Sequence, residues 1–414
     1  MRKVIITCMV GNALEWYDFI LYAQFTYIIS QKFFPNTAIK EILAFAIFAA
    51  GFVVRPLGGV IFGVIGDRFG RRVSLAIGIL TMVLPTTIIG LLPSYDAIGI
   101  AAPIILTIAR LVQGFSLGGE FSGCVVYLTE HAPANRRGLV GSIVYVSQCL
   151  GMLLGLLVSY LLSMLLSQDD LWSFGWRLPF ISSFFIGIIG LYIRNLLVES
   201  PIYTEMKKRG LILQSPLREV FLNNKKTILL AIGLYINVTA PFYAATIFIQ
   251  NYMLTLGYSK SECSIAAGLT LVTMIAIFPI AAYISDKIGR KPVILISCIA
   301  MIISTYPIFY MINNNSYYLA VSSQVLLASI VAFHMGSVPT ILVELFPSNI
   351  RFTGVALSCN LSAAIFGGTV PVIGAALYQF TGSQLAIAYY LTFLAMFALF
   401  VISFYKESYK EVIV

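Results

Sequence analysis

Gly63-Val-Ile-Gly-Asp67-Arg68-Phe-Gly70-Arg71-Arg72 joins two long apolar stretches, and Ala282-Tyr-Ile-Ser-Asp286-Lys287-Ile-Gly289-Arg290-Lys291 joins two others. A second pair follows the first. Glu130-His-Ala-Pro133-Ala-Asn-Arg136-Arg137 is echoed by Glu344-Leu-Phe-Pro347-Ser-Asn-Ile-Arg351. Asp286 follows Asp67 by 219 residues, and Glu344 follows Glu130 by 214. Two independent motifs at nearly one offset mean a duplicated unit. In the first pair, Gly70 and Gly289 permit a tight reversal, and the basic residues fix the side of a membrane on which each loop lies.

The stretches on either side of these loops are long enough to cross a bilayer. The chain has 414 residues, 59% hydrophobic and 10% charged, whereas a soluble domain is closer to a quarter charged. Twelve helical spans are expected, at about 4–29, 42–65, 73–93, 98–128, 138–166, 177–197, 227–253, 263–284, 292–312, 317–343, 352–380 and 384–405. A barrel would show short alternating strands instead. With both termini inside, about 20 basic residues fall in the cytoplasm and about four outside, as the positive-inside bias requires. Six spans per copy is an even number, so both copies share one orientation. The fold class is therefore an all-α membrane protein with two parallel six-helix repeats, a site near the midplane and two bundles that rock. The first bundle is 1–198, a cytoplasmic linker is 199–226, and the second bundle is 227–414.

The same features exclude other classes. A net charge of +9 could suit nucleic acid, but the basic residues sit in alternate loops rather than on one face, so no nucleic-acid partner is expected. Cys8, Cys124, Cys149, Cys263, Cys298 and Cys359 lie in apolar stretches without a CxxC pair and read as packing residues, not metal ligands. Arg2 and Lys3 ahead of an apolar run mimic a signal peptide, but Glu15 and Asp18 inside it mark a retained first span. HExxH and Gly-x-Ser-x-Gly sets are missing, so no catalytic residues are assigned. No Walker motif is present either, so ATP is not expected to drive the protein directly. No cofactor or metal is expected, and the partners are a small substrate, protons and lipid, with the monomer as the working unit.

Five charges fall inside spans: Glu15, Asp18, Arg55, Arg110 and Glu120. A charge at that depth costs several kcal/mol unless it is paired or faces water. Glu15 and Asp18 share a helix face. Three acids and two bases allow two ion pairs and leave one carboxylate for a proton, unless the set is a purely structural network. Arg110 and Glu120 are too far apart along one helix to pair, so Glu15 or Asp18 is the expected partner of Arg110. Asp67 of the loop motif reads as a latch on a basic residue or helix end of the other bundle; the plainer reading is a turn that only sets topology.

The chain resembles the major facilitator superfamily in its paired Asp-(Arg/Lys)-x-Gly-Arg-(Arg/Lys) loops. Within it, the chain is similar to the metabolite:proton symporters, which include proline/betaine, α-ketoglutarate, shikimate and citrate carriers. The segments that carry the resemblance are Gly11-Asn-Ala-Leu-Glu15-Trp16-Tyr17-Asp18-Phe19, Arg55-Pro56-Leu-Gly58-Gly59, Pro93-Ser-Tyr95-Asp96-Ala-Ile-Gly99, Arg110-Leu-Val-Gln113-Gly114-Phe-Ser-Leu-Gly118-Gly119-Glu120, Gly175-Trp176-Arg177-Leu-Pro179-Phe180, Glu199-Ser200-Pro201, Glu344-Leu-Phe346-Pro347 and Ile365-Phe-Gly367-Gly368. The resemblance implies gating at the two loops and makes Arg55 and Arg177 candidates for an anionic substrate group, since a guanidinium fork suits a carboxylate. Arg177 could equally be an interfacial anchor beside Trp176. Osmosensing proline/betaine carriers often extend into a C-terminal coiled coil. This chain runs to Val414 soon after its last span, so osmotic control through such a tail is not expected.

Tyr17, Tyr22, Tyr235, Tyr243 and Tyr252 lie in spans 1 and 7, which line the cavity in that architecture. They either cage a quaternary ammonium or fill space. Asn237 and Asn360 are intramembrane amides able to bind substrate or bridge helices, and His334 reads as packing or as a proton relay. Glycines at 118, 119, 151, 155, 367, 368 and 374 permit close helix approach. The charge inventory favours a small carboxylate or zwitterion over a sugar. The expected function is proton-coupled uptake of a proline/betaine-type osmolyte across a bacterial inner membrane. The alternatives are an α-ketoglutarate or other organic-acid symporter and, in another class, a non-transporting sensor or channel on this fold.

Overall fold

In the computed structural model the described residues are 1–35, 39–314, 316–383, 385–409 and 411, and among them there are helices and loops but no strand. Twelve helical passages follow one another. Span 1 is Arg2–Phe33, span 2 Lys40–Arg68, span 3 Arg71–Leu91, span 4 Ala101–His131, span 5 Arg137–Leu165 and span 6 Arg177–Asn195. Span 7 is Lys225–Thr255, span 8 Lys260–Ile288, span 9 Arg290–Ile312, span 10 Tyr317–Leu345, span 11 Arg351–Thr381 and span 12 Ala386–Ile402. Each expected span is matched by a helix whose ends differ from it by a few residues. The expected start of span 12 at 384 and the chain end at Val414 lie outside the described residues.

The span ends are set by residues that cannot continue a helix. Gly70 and Gly289 break the backbone at φ 114° and 99°, and new helices start at Arg71 and Arg290. That left-handed region is open to glycine and strained for side chains with a Cβ. The polar stretch between spans 6 and 7 folds into two short helices, Pro201–Lys208 and Pro216–Asn223, each with proline in its first turn.

Three spans of the second half are interrupted. Span 7 carries Pro241 and opens into a wide π-type turn at Ala244–Phe248. Span 11 opens likewise at Ala363–Gly367 and resumes with Pro371 in its first turn. Span 10 breaks between Met335 and Val338. Such wide turns leave backbone groups for neighbouring spans to satisfy, and they collect at functional sites.

Small residues decide the closest approaches. A Cβ on Gly114 of span 4 would collide with the Gly51 backbone of span 2, and one on Gly118 with the backbone of Arg55 and Gly59. Gly151 and Gly155 of span 5 lie against Ala13 and Ile20 of span 1 in the same way. Span 2 packs mainly on span 4 and span 1 mainly on span 5, while span 9 lies between spans 10 and 12. The halves meet chiefly through span 2 against span 11 and span 5 against span 8. Spans 2 and 8 are the second members of their repeats and spans 5 and 11 the fifth, so the contact is a pseudo-twofold one. Leu80, Leu84, Ile88 and Leu91 stand exposed along one face of span 3, which suits a lipid surround.

Candidate functional site

At the end of the molecule that carries the repeated loops, each Asp of the duplicated motif grips a helix start in the other half. Asp67 accepts from the backbone N–H groups of Phe352 at 3.2 Å and Thr353 at 2.9 Å, and from the Thr353 hydroxyl at 2.7 Å. These groups open span 11. Asp286 accepts from the N–H groups of Gly138 and Leu139 at 2.9 Å each, which open span 5. A carboxylate at a helix N-terminus satisfies free donors and complements the helix dipole.

Buried guanidinium–carboxylate contacts back each latch. Arg71 pairs with Asp67 at 3.3 Å and with Glu130 at 3.1 Å, and Glu130 also accepts from Arg351 of the other half at 3.1 Å. Arg290 pairs with Asp286 at 2.6 Å and with Glu344 at 3.2 Å. The Arg351 Nε donates to Val343 and Phe346 carbonyls, whereas Arg137 donates to the Glu411 carbonyl at 2.8 Å. Of the flanking basic residues, Arg72 donates to the Asn195 carbonyl and Lys291 to that of Tyr405. Arg68 stacks on Phe69 and Lys287 on Tyr283. At Gly63 a Cβ would reach the Thr353 backbone, so this position lies in the seam itself.

A third repeated pair escaped the sequence reading. Glu199 accepts from the Arg71 N–H at 3.0 Å, and Glu407 from the Lys291 N–H at 2.8 Å, each at the start of a third span. Arg71 lies over the Tyr203 ring at 5.2 Å and Arg290 over Tyr409 at 6.0 Å. The signal was the dipeptide Glu199-Ser200, repeated as Glu407-Ser408. It lies outside the membrane, where burial pushes the Tyr203 hydroxyl pKa up, with Glu199 adding to the effect.

The intramembrane charges are all shielded from lipid; Glu15, Asp18, Arg55, Arg110 and Glu120 are 2–5% exposed. A sixth charge joins them. Arg194 near the end of span 6 is 1% exposed and forms a two-pronged ion pair with Glu120. It reaches Glu120 because Gly11 and Gly78 clear the space between them. The expectation of three acids against two bases is thereby corrected to three against three.

Asp18 accepts from Ser183 at 2.6 Å and Thr86 at 2.8 Å. Gln113 donates to Thr86 at 2.6 Å and accepts from Arg110 at 2.8 Å. Arg110 also lies over the Tyr22 ring at 4.2 Å. The span 1 acid tied to Arg110 is thus Asp18, through two neutral side chains. Neither oxygen of Glu15 has a hydrogen-bond partner among the described residues.

Between the halves lies a narrow cavity with room for about one water molecule, lined by Trp16, Arg55, Phe121, Tyr145, Tyr235 and Tyr243 among others. Arg55 donates to the Tyr243 hydroxyl and to the Asn360 amide oxygen, both at 3.3 Å. Asn360 is held by donating to the Gly118 and Ala356 carbonyls at 2.7 Å. Trp16 meets Phe242 edge-on at 6.0 Å, and Phe121 meets Tyr145 at 5.3 Å. The Trp16 indole N–H has no partner among the described residues. The π-type turns of spans 7 and 11 begin beside Tyr243 and at Ala363, both in the lining.

The structure brings Arg55, Tyr243 and Asn360 together and leaves Arg177, Tyr17, Tyr22, Asn237 and Tyr252 outside the cavity lining. Arg177 donates to the Gly90 and Leu92 carbonyls at 2.9 and 2.7 Å and stacks on Trp176, which ties span 6 to the end of span 3. Tyr17 belongs to a separate apolar cluster with Phe25, Trp176 and Phe180. Asn237 lies 3.5 Å from His334, and His334 lies 2.8 Å from the Ser297 hydroxyl, within the second bundle. Tyr252 donates to Asn313, while Tyr235 stays at the cavity beside Tyr145. All six cysteines are buried and free.

Paired six-span halves with a central polar site and latches at one end define a secondary-transporter fold. The sequence profile of the Major Facilitator Superfamily matches residues 19–368 and, again, 227–412. The chain belongs to that superfamily, among the carriers that include the proline/betaine transporters. It is 36% identical over 420 residues to the glycine betaine/proline/ectoine/pipecolic acid transporter OusA of Dickeya dadantii, covering 99% of this chain and 84% of that one. It is 33% identical over 411 residues to the proline/betaine transporter of Escherichia coli K12, covering 96% and 82%. Among solved structures, the proton:xylose symporter XylE with a bound bromo-deoxyglucose superposes with a TM-score of 0.82 at 19% identity, over 99% of this chain and 97% of that one. The fold likeness stops at architecture.

Proposed function

We propose that the chain is a proton-coupled importer of a small zwitterion of the proline/betaine type. The observation that carries this reading is Arg55. It is buried at the interface of the halves, in an aromatic cavity, and its two hydrogen bonds go to neutral groups. A buried guanidinium without a carboxylate leaves strong donors for one. The surrounding rings suit the cationic end of the same substrate by cation–π attraction. A dicarboxylate such as α-ketoglutarate would call for a second cation, and Arg55 is the one cation among the described lining residues. That favours the zwitterion over the organic acid. The names of the relatives point the same way.

The gated end is cytoplasmic in this reading, with both termini and the 199–226 linker inside a bacterial inner membrane. The bundles 1–198 and 227–414 then rock about the central cavity, and Asp67 and Asp286 steady the state closed to the cytoplasm. The working unit is the monomer, and the chemistry is binding and proton transfer without bond-making on the substrate.

The test is uptake of labelled glycine betaine, proline and α-ketoglutarate into proteoliposomes. Betaine or proline should be taken up and α-ketoglutarate should not. Loss of one charge-assisted carboxylate contact, worth about 1.5–3 kcal/mol, should raise the half-saturating concentration of Arg55→Ala roughly 10- to 150-fold. Saturable uptake of α-ketoglutarate alone would reverse the choice of substrate class.

A further inference from the structure

The six intramembrane charges divide unequally. Glu120 is spent on Arg194, and Asp18 is tied to Arg110 through Thr86 and Gln113. One acid and one base remain, Glu15 on span 1 and Arg55 on span 2, and they lie within electrostatic reach of each other. Arg55 is turned to Tyr243 and Asn360, and Glu15 is buried with neither oxygen partnered among the described residues. Trp16, the next residue after Glu15, lines the cavity with Arg55.

We propose that Glu15 carries the transported proton and that it competes with the substrate carboxylate for Arg55. This rests on the reading of Arg55 as the substrate anchor. An ionised carboxylate in apolar surroundings needs a cation or a donor. In the empty transporter without a proton, Arg55 is that cation. When a substrate carboxylate occupies Arg55, ionised Glu15 loses its only spare counter-charge. It then takes one proton to become the neutral acid, forming an O–H bond and breaking none within the protein, while the substrate stays ionised. Substrate and proton therefore bind together, and release of either on the cytoplasmic side frees the other. The arrangement seen here, with Arg55 turned to Tyr243 and Asn360 and Glu15 without a donor among the described residues, suits the protonated acid.

The charged groups facing Glu15 are few. They are Glu120 on span 4, Arg55 on span 2, Arg194 on span 6 and Asp18 on span 1 itself. Span 7 adds the Tyr243 hydroxyl, and the side chains that spans 3 and 5 bond to span 1, Thr86 on Asp18 and Ser147 on Asn12, are neutral. Arg194 is already bound bidentately by Glu120, so Arg55 is the cation that can move between partners.

Proteoliposomes carrying wild type, Glu15→Gln and Glu15→Asp separate the outcomes. Wild-type counterflow of labelled betaine or proline is read first, and its absence overturns the transport reading on which the proposal rests. With counterflow present, Glu15→Gln should keep exchange within about threefold, because a permanently neutral side chain mimics the loaded acid. The same variant should lose accumulation driven by an imposed pH gradient. Wild-type affinity for betaine should tighten as pH falls, by up to about tenfold per unit for one linked proton, and that dependence should flatten in Glu15→Gln. Gradient-driven accumulation by Glu15→Gln at wild-type level overturns the proposal. If Glu15→Gln does not fold, a pH-independent wild-type affinity overturns it as well, and retained coupling in Glu15→Asp supports it.

Discussion

Glu120 and Arg194 come from different helices and meet where Gly11 and Gly78 leave room, each almost fully out of contact with solvent. Removing one partner of a buried pair leaves the other charge stranded, at a cost of about 3–5 kcal/mol. Arg194→Ala should therefore lower the amount of folded protein in the membrane by tenfold or more, read by fluorescence-detected gel filtration. Removing Glu120 as well should restore much of it. If the double variant folds no better than the single one, the pair is not what makes Arg194 necessary. This contact was not legible in the sequence. Arg194 lies close to a span end, where basic residues ordinarily sit in the interface, and nothing local shows that a glycine on another helix admits it. Glu15, Asp18, Arg55, Arg110 and Glu120 were legible because a charge amid 20 apolar residues is conspicuous. Their partners were legible only in part: the sequence pointed Arg110 to a span 1 acid, but which acid, and the neutral side chains between them, depends on how helices are rotated against each other. Arg177 shows the same limit. Its neighbour Trp176 was visible, but the two carbonyls that hold it belong to another span.

At the scale of elements, the latch was legible because it is written twice. Asp67 and Asp286 each close two or more hydrogen bonds to a helix start in the opposite half. Carboxylates in that position contribute up to about 2 kcal/mol each when partly buried. Asp67→Asn combined with Asp286→Asn should shift the protein toward the state open at this end. A cysteine placed at Thr340, which bonds the Arg137 carbonyl beneath the latch, should then be alkylated several-fold faster than with both aspartates intact. The background for that measurement is the chain with its six native cysteines replaced. Equal alkylation rates would make these loops topology signals and nothing more. The interruptions of spans 7 and 11 were not read from the sequence. Pro241 precedes one wide turn and Pro371 follows the other, but proline is frequent in membrane spans and the turns themselves depend on neighbouring spans.

For the whole molecule, the duplicated offset and the span count gave the parallel-repeat architecture directly, since spans 2, 5, 8 and 11 do form the contact between halves. Tags at either terminus or in the 199–226 linker should all report from the cytoplasm, and a tag at Asp169–Asp170 from outside. One external terminus would break that orientation. Accumulation of betaine in cells should collapse with a protonophore and continue without sodium; undiminished accumulation under that treatment would reject the proton gradient as the energy source.

Span 12 is 17 residues long and span 1 is 32. At 1.5 Å per residue the first covers only about 26 Å, a little less than a typical hydrocarbon layer of about 30 Å. Lipid beside this edge of the second half must thin or the helix must sink, and either carries a modest elastic cost per ångström of mismatch. Chain length of the surrounding lipid thus acts on one bundle more than on the other. In vesicles of progressively longer acyl chains, the second half should therefore lose thermal stability before the first.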